Sequence, residues 1–107
     1  MSVSLRGKSD SSIEQVLHAL KKYDAEHAGA QIVVYRQNSV SIRIRVVDPG
    51  FAGVSRAERH EAVWRFIEEL PEDVQSQMSL LIPLTPEETK TSLVNLEFDQ
   101  PTRSSIK

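Results

Sequence analysis

Histidine 60 is the first residue whose neighbours could do chemistry. His60-Glu61 matches the start of the His-Glu-x-x-His motif of zinc proteases, in which two histidines one helical turn apart hold the metal. Trp64 stands where the second histidine is required. The chain has no cysteine, so thiolate metal ligands, disulfides and a cysteine nucleophile are also excluded. A zinc site at this position is therefore not predicted.

Ser55 is the second such residue. It follows Gly53, as the serine of a nucleophile elbow follows a glycine, but Ala57 replaces the closing glycine. With Glu58 three residues later, Ser55 also satisfies the pattern of a helix capping box. We interpret it as a helix cap rather than a nucleophile.

The carboxylates come as sequence neighbours, which do not face each other on a helix and make poor acid–base pairs. They are Glu68-Glu69, Glu72-Asp73 and Glu87-Glu88. Gly50-Phe-Ala-Gly53 fits the Gly-x-x-Gly loop of nucleic-acid-binding KH domains, but it lacks a basic residue between its glycines. A tight connection between two elements explains it better. No enzymatic activity is predicted.

Composition predicts one globular domain. The chain has 107 residues, of which 39% are apolar and 26% charged. The lack of cysteine suits a reducing compartment, so a cytoplasmic location is expected. We expect no signal peptide at the N-terminus and no membrane-spanning segment.

Charge is unevenly distributed. The net charge is −2, but residues 1–45 carry seven basic and four acidic residues, while residues 46–107 carry six basic and eleven acidic. A domain that binds polyanions usually has a clear basic excess. Any contact with nucleic acid must therefore come from a local patch in the first half.

The first half predicts a helix and a hairpin. Residues 1–10 are expected to be flexible, and a helix over about 12–27 is expected to open with a capping box of Ser11 and Glu14. Strands follow over 31–36 and 40–47. A two-residue turn at Asn38-Ser39 would place Tyr35 opposite Ile42 on the buried face. The other face would then carry Ile32 and Val34 beside three arginines, namely Arg36, Arg43 and Arg45.

The second half predicts helices around one strand. The strongest helix opens at Ser55 and ends before Pro71, and a short helix follows over 71–77. A strand is predicted over 78–84, and Pro83 within it indicates either an edge strand or the end of a strand. A third capping box, Thr85 with Glu88, opens a short helix to about residue 91. The apolar run 93–98 is expected to dock on the domain, with a flexible tail at 99–107.

These elements predict an α+β fold in the order α-β-β-α-(α)-β-α. The three strands would form a mixed sheet, with helices covering one face and the other face partly open. A single domain is expected over residues 11–98.

The run from Val46 to Trp64, followed by Thr85-Pro-Glu-Glu88, resembles the BolA-like family. In that family a strand leads to a Phe-x-Gly loop, here Phe51 and Gly53, and then to a helix with Arg-His, here Arg59-His60. The order of elements agrees over residues 12–90. The resemblance implies a fold related to class II KH domains and a small non-enzymatic regulator.

Members of the family pair with monothiol glutaredoxins and share a 2Fe–2S cluster. His60 matches the histidine that ligates the cluster, while the family's second ligand would lie in the loop of residues 36–40, which has neither His nor Cys. The resemblance therefore implies glutaredoxin pairing with weakened or lost cluster ligation, by a monomer or weak homodimer. The implied partner-binding residues are Phe51, Gly53, Ser55, Arg59 and His60.

Two alternatives stay open. The chain could be a KH-like module that binds nucleic acid through a basic sheet face, with Arg36, Arg43, Arg45 and Arg56 as the contacts. Alternatively, the segment from Leu93 to Phe98 could mediate self-association.

Overall fold

A four-stranded mixed β-sheet is the centre of the fold in the computed structural model, which describes residues 3–92 together with Asn95 and Phe98. The strands lie in the order β1 (Val3–Arg6), β2 (Gln31–Asn38), β3 (Ser41–Val47) and β4 (Met78–Leu84). β1 is parallel to β2, β2 antiparallel to β3, and β3 parallel to β4. The edge position of β4, one of the two alternatives that Pro83 indicates, is confirmed.

The prediction of three strands is wrong, because the sheet contains a fourth strand, β1. Val3–Arg6 was expected to belong to a flexible N-terminus, yet it pairs with β2 along its whole length. Val3 and Leu5 pack against the core, while Ser4 is exposed. Four residues are too few for their apolar alternation to identify a strand from the sequence alone. The hydrogen bonds to β2 stabilise the extended conformation that the local pattern does not predict.

Three helices complete the fold, namely α1 (Ser11–Glu26), α2 (Arg56–Ile67) and α3 (Glu72–Gln75). α2 opens as predicted, because the Ser55 hydroxyl accepts a hydrogen bond from the Glu58 amide at 3.2 Å. At α1 the predicted cap is wrong by one residue. The Asp10 carboxylate, not Ser11, accepts from the Ile13 amide at 2.9 Å.

The core lies between the helices and one face of the sheet, so the prediction that helices cover one face is confirmed. Each apolar side chain buried there contributes roughly 1.5–3 kcal/mol. The fully buried members from α1, the sheet and α2 are Ile13, Val16, Leu20, Ile32, Val34, Ile42, Ile44, Val46, Val63 and Ile67.

The register of the β2–β3 hairpin differs from the predicted one by a residue. Tyr35 pairs with Arg43 rather than with Ile42, and an irregularity lies between Arg36 and Asn38. The reason is local: the turn is at residues 39–40, and the Asn38 side chain accepts a hydrogen bond from the Val40 amide at 2.9 Å. A shift of one residue exchanges the two faces of a strand.

The shift separates the three arginines. Ile32 and Val34 join the core, while Val33 and Tyr35 share the opposite face with Arg43 and Arg45. Arg36 pairs with Ile42 on the helical side, where its guanidinium binds the Asp10 carboxylate and the side chain of Gln77. The predicted surface of Arg36, Arg43 and Arg45 is therefore wrong.

The face of the sheet opposite α1, α2 and α3 is not open at its centre. Phe98 is fully buried there, against Tyr35, Ile82 and Leu84, and Asn95 is 6% exposed. Both residues have helical backbone. The expected docking of the run 93–98 is confirmed for these two residues, and the predicted tail at 99–107 lies outside the described part of the chain. No helix of the described residues is long and apolar enough to cross a membrane.

Candidate functional site

Two regions hold the polar side chains with the most structured surroundings. We call the first the α2 corner; it comprises the loop from Asp48 to Ser55, the start of α2 and the turn after β4. We call the second the arginine face; it comprises Arg6, Tyr35, Arg43 and Arg45 on the side of the sheet opposite α1, α2 and α3.

Asp48 anchors the loop of the α2 corner. Its amide donates to the carbonyl of Leu84 at 2.8 Å, and its carboxylate accepts from the Gly50 amide at 2.8 Å and from the Tyr23 hydroxyl at 2.7 Å. Burial, together with the Asp48 carboxylate, raises the pKa of Tyr23 well above its ordinary value. Tyr23 therefore stays a neutral donor that ties α1 to the loop. A cavity of about 160 Å³ lies beside this bond.

Arg59 fixes the other end of the loop. Its Nε donates to the Val54 carbonyl at 2.8 Å, and Nη1 donates to the Pro83 carbonyl at 3.2 Å. The guanidinium also lies 5.6 Å from the centre of the Phe51 ring. Both Arg59 and Phe51 are buried, at 6% and 4% exposure. Arg59 thus joins the loop to the end of β4.

A bidentate ion pair completes the set of bonds by which Arg59 holds the loop, and we call this set the clamp. Nη1 and Nη2 of Arg59 donate to the two carboxylate oxygens of Glu88 at 2.6 and 3.2 Å. The third capping box is confirmed, since Thr85 and Glu88 bond each other reciprocally at 3.0 and 3.3 Å. Hydrogen bonds from Arg59 and from the Thr85 amide lower the pKa of Glu88 to about 2.

His60 lies outside the clamp. The residue is exposed, and its ring stacks on that of Trp64, with the centroids 5.8 Å apart and 20° between the planes. Gly53 and Ser55 are exposed as well, and Gly53 has a φ of +79°, which favours glycine. Of the five predicted partner-binding residues, three therefore lie on the surface, while Phe51 and Arg59 support them from within.

The donors of the α2 corner do not fit a 2Fe–2S cluster held by this chain. Each iron of such a cluster takes two protein ligands, and His60 supplies one. The turn between β2 and β3 offers amide and hydroxyl groups only, and the sequence contains no thiolate. Among the residues that the structure describes, no group of three His, Asp or Glu is placed to hold a metal ion.

The arginine face contains two of the four predicted nucleic-acid contacts. Arg43 donates to the Tyr35 hydroxyl at 3.1 Å, and Arg45 donates to the Asn95 side chain at 2.9 Å. Arg36 lies on the other side of the sheet, and the exposed Arg56 begins α2. The four arginines therefore do not form one surface.

Sequence reasoning missed Arg6, which completes the arginine face. Its guanidinium lies 4.3 Å from the centre of the Tyr35 ring and 5.0 Å from that of Phe98, and Nη2 donates to the Phe98 carbonyl at 2.6 Å. Arg6 could not be identified without β1, which no strong local signal predicted. Asp48 is not among the predicted site residues, because its bond to Tyr23 spans 25 residues and no local pattern contains it.

The chain was compared with protein-family models, with curated proteins and with solved structures, and none of the three comparisons finds a match.

Proposed function

We propose that this chain is a small, non-enzymatic binding module of the BolA-like type that recognises a protein partner through the exposed part of the α2 corner. The recognition surface consists of the exposed residues Gly53, Ser55 and His60, together with the half-buried Trp64 one turn further along α2. The observation that carries the proposal is the exposure of His60 on a helix whose start is held in place by buried bonds.

Rigid support favours recognition at this surface. A side chain on a fixed helix loses little conformational freedom when a partner binds, so the affinity is higher than that of a mobile loop. Arg59 supplies the rigidity through Val54, Pro83 and Glu88. The stacked pair of His60 and Trp64 offers apolar area and a polar ring nitrogen together, a combination enriched at protein interfaces.

Binding is favoured over catalysis because no group orients the imidazole. A general base is normally held by a hydrogen bond to a second side chain. Within residues 3–92, the side chain of His60 contacts Trp64 and makes no hydrogen bond. An unoriented, exposed imidazole suits a contact or a single metal–ligand bond supplied to a partner's site.

The resemblance to the BolA-like family makes a monothiol glutaredoxin the partner to test first. Isothermal titration would measure binding of the cluster-free and the cluster-loaded glutaredoxin to the wild-type chain, His60→Ala and His18→Ala. His18 is an exposed histidine on α1 and serves as the matched control.

We expect His60→Ala to weaken binding at least about tenfold, the loss typical of a contact at the centre of an interface, and His18→Ala to leave it unchanged. A change in the visible spectrum with wild type but not with His60→Ala would add His60 as a ligand to the partner's cluster. Equal binding by all three chains, or no binding by any, would contradict the proposed surface.

A further inference from the structure

The strands of the sheet carry a positive charge, although the net charge of the chain is negative. The four strands contain four arginines, Arg6, Arg36, Arg43 and Arg45, and no lysine, aspartate or glutamate. Three of these arginines belong to the arginine face. The strands are therefore a basic layer within a chain of net charge −2, and a basic surface attracts anionic ligands over several ångströms.

An aromatic ring lies among these charges. Tyr35 is flanked by the Arg6 guanidinium, 4.3 Å from its ring centre, and by Arg43, which donates to its hydroxyl. Leu80 and Ile82 of β4 continue the same face next to Arg43 and Arg45. A sheet face that offers an aromatic ring for stacking and guanidinium groups for phosphates has the composition of a surface that binds single-stranded nucleic acid.

The ring of Phe98 already occupies this face, edge-on to Tyr35 and between two guanidinium groups. Its centre lies 4.9 Å from that of Tyr35, at 65°, and the guanidinium groups of Arg6 and Arg45 each lie 5.0 Å from it. The ring therefore fills the part of this face where a base would contact Tyr35.

We propose that the arginine face is a binding surface for single-stranded nucleic acid and that the segment carrying Asn95 and Phe98 is its internal competitor. Asn95 accepts from Arg45 at 2.9 Å and donates to the Thr89 carbonyl at 3.1 Å, and the Phe98 carbonyl accepts from Arg6 at 2.6 Å. Nucleic acid binds only when the segment is displaced, so the apparent affinity falls by the fraction of molecules in which the face is open.

Fluorescence anisotropy with labelled oligothymidylate and oligouridylate of about ten nucleotides tests the proposal at low and moderate salt. We expect Phe98→Ala to bind both about tenfold more tightly than the wild-type chain, since removal of the ring raises the open fraction. The matched control is Phe66→Ala, which removes a half-buried ring on the helical side of the sheet. That variant should bind the oligonucleotides no more tightly than the wild-type chain does.

Arg43→Ser in the Phe98→Ala background tests the surface itself, because Arg43 contacts Tyr35 and not the Phe98 ring. The double variant should lose the gain, with a salt dependence reduced by about one phosphate contact. Preference for the uridylate over the thymidylate strand would assign RNA rather than DNA as the ligand.

Three results would overturn the proposal: a folded Phe98→Ala chain that binds no better than wild type, an equal gain in Phe66→Ala, or equally tight binding of polyglutamate, which has charge but no bases. Circular dichroism reports whether Phe98→Ala folds. If it does not fold, Asn95→Ala is measured instead. A smaller gain in affinity is then expected, and the absence of any gain would contradict the proposal. Glutaredoxin binding depends on the α2 corner, so either proposal can fail without the other.

Discussion

Arg59 of the α2 corner and Arg45 of the arginine face are both held by internal partners, but the partners differ in kind. Arg59 is buried and binds two backbone carbonyls and a carboxylate that belong to the loop and to the turn after β4. Arg45 is half-buried and binds a side chain and a ring from the C-terminal segment.

The difference indicates which region is permanent and which can change. Removing the partners of Arg59 would require the end of β4 to leave the sheet, which amounts to unfolding. Removing Asn95 and Phe98 from Arg45 leaves the pairing of the four strands intact, so it should cost less than unfolding the sheet. The α2 corner is therefore suited to presenting a fixed surface, and the arginine face to exposing a hidden one.

The largest effect should come from Arg59→Ala. The substitution leaves the carbonyls of Val54 and Pro83 and the carboxylate of Glu88 without their donor, and we expect a loss of about 3 kcal/mol in the free energy of unfolding. Urea denaturation measures it. Arg59→Lys should recover less than half, since an ammonium cannot span the three acceptors. Full recovery by lysine would show that charge alone matters at this position.

Phe98→Ala should cost less than the 3–5 kcal/mol typical of a buried phenylalanine, about 2 kcal/mol. The reason is that the C-terminal segment can detach when its docking weakens, which sets an upper limit to the loss. Hydrogen exchange should quicken in β2 and β4 around Tyr35 and Ile82 but not in α2. Uniformly faster hydrogen exchange throughout the chain would mean that the α2 corner and the arginine face open together and do not differ in stability.

Acid should weaken the α2 corner through Glu88. Its pKa falls from the ordinary 4.5 to about 2 in the folded protein. The contribution of this carboxylate is therefore complete above pH 4.5 and is lost as the pH falls towards 2. Because solvent screens the partly exposed pair, we expect about 1 kcal/mol. Thermal unfolding of wild type and Glu88→Gln between pH 7 and about 2 measures it, and parallel curves would contradict the assignment.

His60→Ala should have the smallest effect, within about 0.5 kcal/mol of the wild-type stability, because the side chain is exposed and makes no hydrogen bond within residues 3–92. Together with the expected loss of partner binding, this would separate recognition by the α2 corner from its stability. A destabilisation near that of Arg59→Ala would make His60 a structural residue and weaken the proposed function.

Local signals predicted much of this fold. The capping boxes at Ser55 and Thr85, the helical period of α1 and α2, and the apolar alternation of β3 lie at the positions expected from the sequence. Each depends on contacts between residues three or four apart on a helix, or two apart on a strand, so the sequence contains the whole interaction. Of the exposed residues of the candidate site, Ser55 follows from the same local pattern, whereas Gly53 and His60 were predicted through the resemblance to the BolA-like family.

The rest needed partners distant in sequence. β1 becomes a strand through pairing with β2, and the one-residue shift of the hairpin sends Arg36 to the helical side and Tyr35 to the arginine face. A side-chain amide at Asn38 decides that shift, because it favours one turn over another of similar energy. Two strands with alternating apolar residues can pair in either of two registers that differ by one residue.

By itself, the sequence determined where the helices and most strands begin and end, because capping and periodicity are interactions between near neighbours. Only the tertiary structure decided that Arg59 is a buried clamp, that Arg6 joins Arg45 on one face, and that Phe98 covers that face. Those contacts close loops of up to 92 residues. Their stability depends on which surfaces the packed core leaves available, and no local pattern contains that information.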